Sequence, residues 1–210
     1  MNPVRAITGR VAILDRADVD TDQIIPKQFL KRIDRTGYGE FAFFDWRYDE
    51  HGAERPEFEL NRPEFAGARV LVAGRNFGCG SSREHAAWAL QDYGFDAVVA
   101  PSFGDIFRTN AGKIGLLAVE LPPDEVAALM ESVDLDTGSE VTVHLERLVL
   151  VAPGGREVPF EFDASTRHRL LHGLDDIALT LRHEEKIARH ERAHHPHLPH
   201  PPAAEPAETR

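Results

Sequence analysis

The sequence has a single cysteine, Cys79, among its 210 residues. An internal disulfide needs two thiols, so a small secreted scaffold held together by disulfides is excluded. An iron–sulfur cluster held by this chain alone is also excluded, because such clusters normally take several cysteine thiolates. One thiol in a chain of this length is typical of a reducing compartment.

Long apolar runs and an excess of positive charge are missing as well. No run approaches the roughly 18 apolar residues that cross a membrane, and residues 1–10 lack the apolar segment of a signal peptide. The formal net charge of -11 argues against nucleic acid or an anionic membrane as the main partner, but not against a small anionic substrate. Hydrophobic residues make up 42%, enough for a packed core. We therefore expect a cytoplasmic protein.

The apolar pattern predicts an α/β fold in which short strands alternate with helices. Residues 69–73 and 97–100 are apolar runs typical of buried strands, and residues 82–93 between them have helical spacing that ends at Gly94. This order predicts a parallel crossover unit. We also predict strands at 7–14 and 116–121, helices at 103–111, 122–132, 163–173 and 174–192, a hairpin at 140–151 and an extended piece at 160–162.

Two stretches have no regular periodicity. Residues 26–60 are irregular, and their aromatic stretch at 41–48 fits either core packing or contact with a partner protein. Residues 193–210 are rich in histidine and proline, which predicts a disordered tail, although histidine clusters can also bind metal. We therefore expect one domain at 1–192 and a tail at 193–210.

Four aspartates fall within residues 15–22. Aspartate side chains accept hydrogen bonds from nearby backbone amides in turns, which is one explanation of the cluster. The other is a carboxylate group that binds a metal or orients a catalytic side chain. The segment lacks the glycine that stands at the sixth position of an EF-hand-like loop.

The segment most informative about chemistry is residues 76–85, between a predicted strand and a predicted helix. Helix N-termini expose unpaired amides and the positive end of the helix dipole, so they attract anions. Gly78 and Gly80 let the backbone approach a ligand closely, and Arg83 can clamp a carboxylate in bidentate fashion. A serine at such a terminus, Ser81 or Ser82, would lose its proton more easily than usual and could then act as a base.

A purely structural explanation fits the same residues. Ser81 and Glu84 have the spacing of a capping box, in which the serine is the N-cap and the glutamate reaches back to it. The dinucleotide pattern of three glycines fails at Arg83, and the Walker pattern is absent. From the residues alone, helix capping and ligand binding both stay open.

Residues 76–86 (NFGCGSSREHA) closely resemble the signature loop of the aconitase superfamily's swivelling domain. The Gly-Cys-Gly form is similar to that of separate small subunits. Further stretches resemble isopropylmalate isomerase small subunits: 20–26 (DTDQIIP), 102–107 (SFGDIF) with Asn110 and 115–117, and 173–177 (GLDDI) with 179–181. The resemblance covers about residues 1–192.

The resemblance implies an α/β fold, a swivelling β/β/α domain of small-subunit type, that is active only with a large subunit. That partner is expected to carry a [4Fe–4S] cluster, and no metal is expected in this chain. The implied reaction isomerises 2-isopropylmalate to 3-isopropylmalate by dehydration and rehydration in leucine biosynthesis. Ser81 matches the catalytic base, Ser82 and Arg83 match contacts to a substrate carboxylate, and Asp22 matches a supporting carboxylate. Cys79 is not expected to be a cluster ligand.

The resemblance indicates the diacid substrate less directly than it indicates the reaction. In the family, the segment after residues 20–22 reaches over the substrate, and here it contains Phe29, Leu30 and Lys31. Apolar Phe29 and Leu30 suit an isopropyl group, whereas Lys31 and Arg32 would meet the extra carboxylate of homoaconitate. A small subunit for a citraconate, dimethylmalate or homoaconitate hydro-lyase is therefore an alternative, as is a non-catalytic anion-binding module.

Overall fold

The computed structural model describes residues 1–31, 36–136 and 138–194. The chain divides into two compact units, Met1–Asp175 and Asp176–Arg210, which are described separately.

Within the described part of the first unit, seven strands form one mixed sheet in the order β4-β3-β2-β1-β5-β6-β7. Strands β1 to β4 run parallel to one another, and β5 to β7 form an antiparallel meander on the other side of β1. The strands are β1 (Ala6–Leu14), β2 (Val70–Ala73), β3 (Ala97–Ala100), β4 (Leu117–Glu120), β5 (Glu140–His144), β6 (Val149–Val151) and β7 (Glu157–Pro159).

Strand β1 joins the two halves of the sheet, and its sequence reflects both environments. Residues 6–10 pair with antiparallel β5 and residues 11–14 with parallel β2. In the first half, exposed residues alternate with buried ones such as Ile7. From Val11 to Leu14 every residue is buried. A half-solvated antiparallel strand alternates, whereas a parallel strand covered on both faces is apolar throughout.

The helices of the first unit connect and cover these strands. Helix α3 links β2 to β3 and α4 links β3 to β4, while α5 contacts β1, β2 and β3. The first unit contains α1 (Thr21–Ile24), α2 (Phe44–Arg47), α3 (Glu84–Tyr93), α4 (Asp105–Ile114), α5 (Pro123–Leu135) and α6 (Ala164–His172). The predicted parallel crossover unit is confirmed, as is the helix end at Gly94.

The described residues of 26–60 form short 3-10 and helical turns, including α2, and a loop, and much of their aromatic content lies in or against the core. Phe43 is fully buried, and its ring lies 6.0 Å from those of Trp46 and Phe58. Tyr38 is also fully buried, and Phe41 packs against the core. Core packing therefore accounts for much of the aromatic stretch at 41–48.

Two sequence predictions were wrong in detail. The extended piece expected at 160–162 lies three residues earlier, as β7, because Val158 pairs with Leu150 and is buried. The helix expected at 174–192 is two helices in the second unit, α7 (Asp176–Leu181) and α8 (Glu184–His194), separated by a turn. The predicted tail beyond His194 lies outside the described residues.

Candidate functional site

Three loops meet at the carboxyl edge of the parallel half of the sheet, where β1, β2 and β3 end. We call residues 76–80, after β2, the glycine loop. On one side, the amide of Gly78 donates to Val19 O at 2.7 Å, and that of Thr21 donates to Cys79 O at 2.9 Å. On the other side, the amide of Phe77 donates to Ser102 O at 3.0 Å. The backbone of the glycine loop is therefore held between the loops after β1 and β3.

Glycine is required where these loops cross. Gly78 has a φ of +73°, and a Cβ there would lie 2.3 Å from Phe107 Cγ. A Cβ on Gly104 would lie 2.5 Å from Gly78 O. No side chain fits either position without displacing its neighbours. Gly78 thus allows close packing within the chain, and its predicted close approach to a ligand stays a prediction.

The aspartate cluster acts through turns and hydrogen bonds. Asp20 caps α1 in a reciprocal capping box with Gln23, with both hydrogen bonds at 2.8 Å. Asp18 accepts hydrogen bonds from Arg75 at 3.0 Å and from Asn76 at 2.9 Å. Among the described residues, no group of three or more His, Cys, Asp or Glu side chains could hold a metal ion. Turn chemistry, one of the two explanations offered for the cluster, is confirmed for Asp20.

Ser81 and Ser82 lie immediately before α3 and are exposed to solvent. Helix α3 begins at Glu84 with Arg83 as its N-cap residue, and the Arg83 side chain makes no capping hydrogen bond. The capping-box explanation of Ser81 is therefore wrong, because Ser81 lies two residues too early. Both serine hydroxyls stand ahead of a helix N-terminus whose first amides lack intrahelical acceptors. The arrangement suits an anionic ligand.

Arg83 is held in place by the loop after β1. Its Nη1 lies 2.5 Å from Asp22 Oδ1 and donates to Ile25 O at 3.5 Å. The Arg83 side chain is 17% exposed, whereas that of Asp22 is 52% exposed. The guanidinium is thus fixed at the edge of the site by a carboxylate that itself faces solvent. The sequence placed both residues in the site without indicating that they touch each other.

Thr21 is a site residue that sequence analysis did not single out. It is 1% exposed, and its hydroxyl lies 3.0 Å from Ser81 O and 3.2 Å from Ser81 Oγ. Thr21 lies in the stretch 20–26 that resembles isopropylmalate isomerase small subunits. Nothing in the sequence, however, indicated a role for its hydroxyl. Only the sheet order brings residues 21 and 81 together.

The three residues expected to read the substrate side chain lie on the 3-10 turn Lys27–Lys31. The Phe29 ring stacks on Phe41 at 4.1 Å and meets Phe44 edge-on at 4.8 Å. Leu30 is half-buried against the core, and Lys31 is exposed. Aromatic contacts therefore fix Phe29, and its role toward a substrate stays a prediction. Residues 32–35, among them Arg32, lie outside the described residues.

Two titratable groups border the serines. Burial raises the pKa of the Cys79 thiol above its ordinary value, and the carboxylates of Asp20 and Asp18 raise that pKa further. Burial also lowers the pKa of His85, whose ring packs 4.7 Å from that of Trp88. His85 is therefore mainly neutral near pH 7, and the thiol is mainly protonated. Arg83 is then the permanent positive charge beside the serines.

Two family models match the chain. Residues 1–124 match the model of the aconitase C-terminal domain, and residues 176–199 match the model of the C-terminal domain of the 3-isopropylmalate dehydratase small subunit. A 3-isopropylmalate dehydratase small subunit from Halalkalibacterium halodurans is 54% identical over 191 residues, covering 91% of this chain and 98% of that one. The chain belongs to the family of 3-isopropylmalate dehydratase small subunits.

Other members of the small-subunit family agree. The 3-isopropylmalate dehydratase small subunit from Rhodopirellula baltica is 58% identical, covering 88% of this chain and 95% of that one. A crystal structure of 3-isopropylmalate dehydratase from Methanocaldococcus jannaschii is similar with a TM-score of 0.62 at 28% identity, covering 88% of this chain and 99% of that one. The predicted family and fold class are confirmed, and a small subunit implies a large-subunit partner.

The residues of this small subunit do not fit an iron–sulfur cluster. The sequence offers one thiol, Cys79, and that thiol is directed to Asp18 O at 3.5 Å. The described residues contain no alternative group of metal ligands.

The described residues also contain no helix long and apolar enough to cross a membrane.

Proposed function

We propose that this chain works as the small subunit of a cytoplasmic 3-isopropylmalate dehydratase, a hydro-lyase, and supplies the base and the carboxylate-binding groups of the shared active site. The complex, a heterodimer with the large subunit, would convert 2-isopropylmalate to 3-isopropylmalate in leucine biosynthesis. The observation that carries the proposal is the arrangement before α3. Two exposed serine hydroxyls and a fixed guanidinium stand together at a helix N-terminus, in a chain whose relatives are 3-isopropylmalate dehydratase small subunits.

Ser81 is assigned the role of base. An alkoxide is a strong enough base to remove a carbon-bound proton, but a free serine hydroxyl ionises very rarely in water. The N-terminus of a ten-residue helix, α3, stabilises negative charge on Ser81 Oγ and so lowers the cost of ionisation. The positive charge of Arg83, two residues away, acts in the same direction.

Ser82 and Arg83 are assigned to a substrate carboxylate. Guanidinium binds carboxylate through two parallel N–H groups, which sets both distance and orientation. Asp22 holds Arg83 from one side, so the guanidinium has lost much of its rotational freedom before substrate arrives. Asp22 therefore acts through Arg83 in this proposal.

The group that takes the substrate hydroxyl is assigned to the large subunit. A Lewis acid makes hydroxide a better leaving group, and a [4Fe–4S] cluster with an open iron position would supply that chemistry. Support comes from this chain, whose residues do not fit such a cluster. The chain is then expected to be inactive alone.

The proposed preference for 2-isopropylmalate depends on Phe29 and Leu30. Both are half-buried, and the Phe29 ring is fixed by Phe41, so the pair presents apolar surface that suits an isopropyl group. Exposed Lys31 supports the alternative of a diacid with an additional carboxylate, such as homoaconitate. One small apolar group changes discrimination by only about 1–3 kcal/mol, so the related diacids belong in the same assay.

The deciding experiment is turnover of 2-isopropylmalate under anaerobic conditions, followed by ultraviolet absorbance of the alkene intermediate. The chain is assayed alone, with its large subunit, and with the large subunit plus each alternative diacid. Activity only in the mixture supports the subunit role, and the ranking of kcat/KM gives the substrate. If the isolated chain binds dicarboxylates and the mixture, with its cluster intact, turns over none of the diacids, the non-catalytic binding module replaces the proposal.

A further inference from the structure

The hydroxyl of Thr21 contacts two atoms of Ser81 at once. It donates to Ser81 O at 3.0 Å, and its oxygen lies 3.2 Å from Ser81 Oγ. A threonine hydroxyl carries one proton but has two lone pairs. While that proton is directed to the Ser81 carbonyl, the hydroxyl–hydroxyl contact requires the Ser81 O–H as donor. With the Thr21 proton on the carbonyl, Ser81 is therefore the donor in the neutral state.

Loss of the Ser81 proton reverses this arrangement. An ionised Ser81 Oγ has no proton to donate and becomes a far better acceptor than a neutral carbonyl. Rotation about the Cβ–Oγ1 bond of Thr21 moves its proton from the carbonyl to the ionised oxygen, with no change in the position of either heavy atom. The proton that leaves Ser81 passes to water, to which Ser81 is exposed.

We propose that Thr21 is a positioning residue for Ser81, orienting its hydroxyl and stabilising its ionised form by a switch of one hydrogen bond. The proposal rests on the assignment of Ser81 as the base. Thr21 acts through Ser81 and makes no contact with substrate in this role.

The surroundings hold Thr21 in the position this role needs. The residue is 1% exposed, so bulk water does not compete for its hydrogen bonds. Its amide donates to Cys79 O at 2.9 Å, which ties it to the glycine loop. Gly80, which precedes Ser81, has a φ of +89°, and a Cβ there would lie 3.4 Å from Asp20 Cβ. A side chain at position 80 would therefore fit in space, and its cost would come from the left-handed backbone.

The test compares two variants of the assembled two-subunit enzyme. Thr21→Ser keeps the hydroxyl and loses a methyl group, whereas Thr21→Val keeps the shape and loses the hydroxyl. We expect Thr21→Ser to keep kcat within about threefold and Thr21→Val to lower kcat by about 10- to 100-fold, the effect of one hydrogen bond to a charged group, with KM little changed. The limb of the kcat–pH profile that reports ionisation of the base should move to higher pH in Thr21→Val only.

The matched control is Thr8→Val. Thr8 makes a hydroxyl–hydroxyl contact of the same kind, at 2.9 Å to Thr142, in the antiparallel half of the sheet. Thr8→Val should leave kcat, KM and the pH profile unchanged. Thermal melting and the subunit stoichiometry of each complex show whether the variants fold and assemble.

A double substitution separates failure of this inference from failure of the proposed function. In a Ser81→Ala background, Thr21→Val should lower residual turnover no further, because residues that act as a unit are not additive. A further loss in that background, or equal losses in Thr21→Ser and Thr21→Val, overturns the role of Thr21. Full activity of Ser81→Ala would instead remove Ser81 as the base, and the role of Thr21 with it.

Discussion

Arg83 and Asp22 form an ion pair in which Nη1 lies 2.5 Å from Oδ1, joining the loop after β2 to the loop after β1. The Asp22 side chain is 52% exposed, so water screens the pair and its contribution to stability is small, on the order of 1 kcal/mol or less. Its importance is geometric, because it sets the direction of the guanidinium beside Ser81 and Ser82.

Replacing Asp22 by asparagine tests this geometric role. Asp22→Asn keeps an oxygen acceptor but loses the charge, so Arg83 should become more mobile and KM should rise by about tenfold with a smaller effect on kcat. The control is Glu157→Gln, which breaks an exposed ion pair with Arg147 (2.6 Å) outside the site and should change neither constant. A fall in kcat at constant KM would instead place Asp22 in the proton-transfer step.

The adjacent serines should differ in kinetic effect. Ser81→Ala should lower kcat by about 100- to 10,000-fold, the usual contribution of a general base, because the proton acceptor is gone. Ser82→Ala should mainly raise KM, since it removes one hydrogen bond to a carboxylate. Each variant controls for the other, because both residues are exposed and precede the same helix. Steady-state kinetics of the two complexes, with gel filtration to verify assembly, decide between this and the opposite pattern.

Gly78→Ala should destabilise the first unit strongly. The alanine would adopt a φ of +73° and bring its Cβ to 2.3 Å from Phe107 Cγ. Gly52 is the matched control, since its φ is +79° and a Cβ there would meet no heavy atom of the described residues within 4 Å. Gly52→Ala should cost about 1 kcal/mol for the backbone alone, and Gly78→Ala about 1–3 kcal/mol more for the clash. Urea unfolding measures both, and equal losses would show that the clash relaxes freely.

Cys79 should react slowly with thiol reagents. Its pKa is raised by burial and by two carboxylates, so the thiolate fraction at pH 7 is below that of an unperturbed cysteine. Alkylation by iodoacetamide should be slower than that of glutathione, and Asp18→Asn should accelerate it. Because Cys79 is the chain's one thiol, mass spectrometry follows the reaction directly.

Cys79→Ser should leave the iron content of the complex unchanged, and a loss of iron would contradict the assignment of the cluster to the partner.

Much of the fold followed from local patterns. The strands at 69–73 and 97–100 were predicted from apolar runs, and the structure has both, as β2 and β3. The β7 error shows the limit of local patterns, because Phe160 and Phe162 look extended by composition whereas pairing with β6 selected residues 157–159. Likewise, Ser81 and Glu84 have the spacing of a capping box, but the N-cap residue of α3 is Arg83.

The sequence by itself determined the family, the α/β class and the loop that carries Ser81, Ser82 and Arg83, because these depend on neighbouring residues and on periodicities within single elements. Only the tertiary structure decided that Asp22 touches Arg83 and that Thr21 touches Ser81. Residues 21 and 22 are far from residues 81 and 83 in sequence. They meet because β1 and β2 are parallel neighbours whose carboxyl ends share one edge of the sheet. That adjacency arises from strand pairing across the sheet, which no local pattern in either loop encodes.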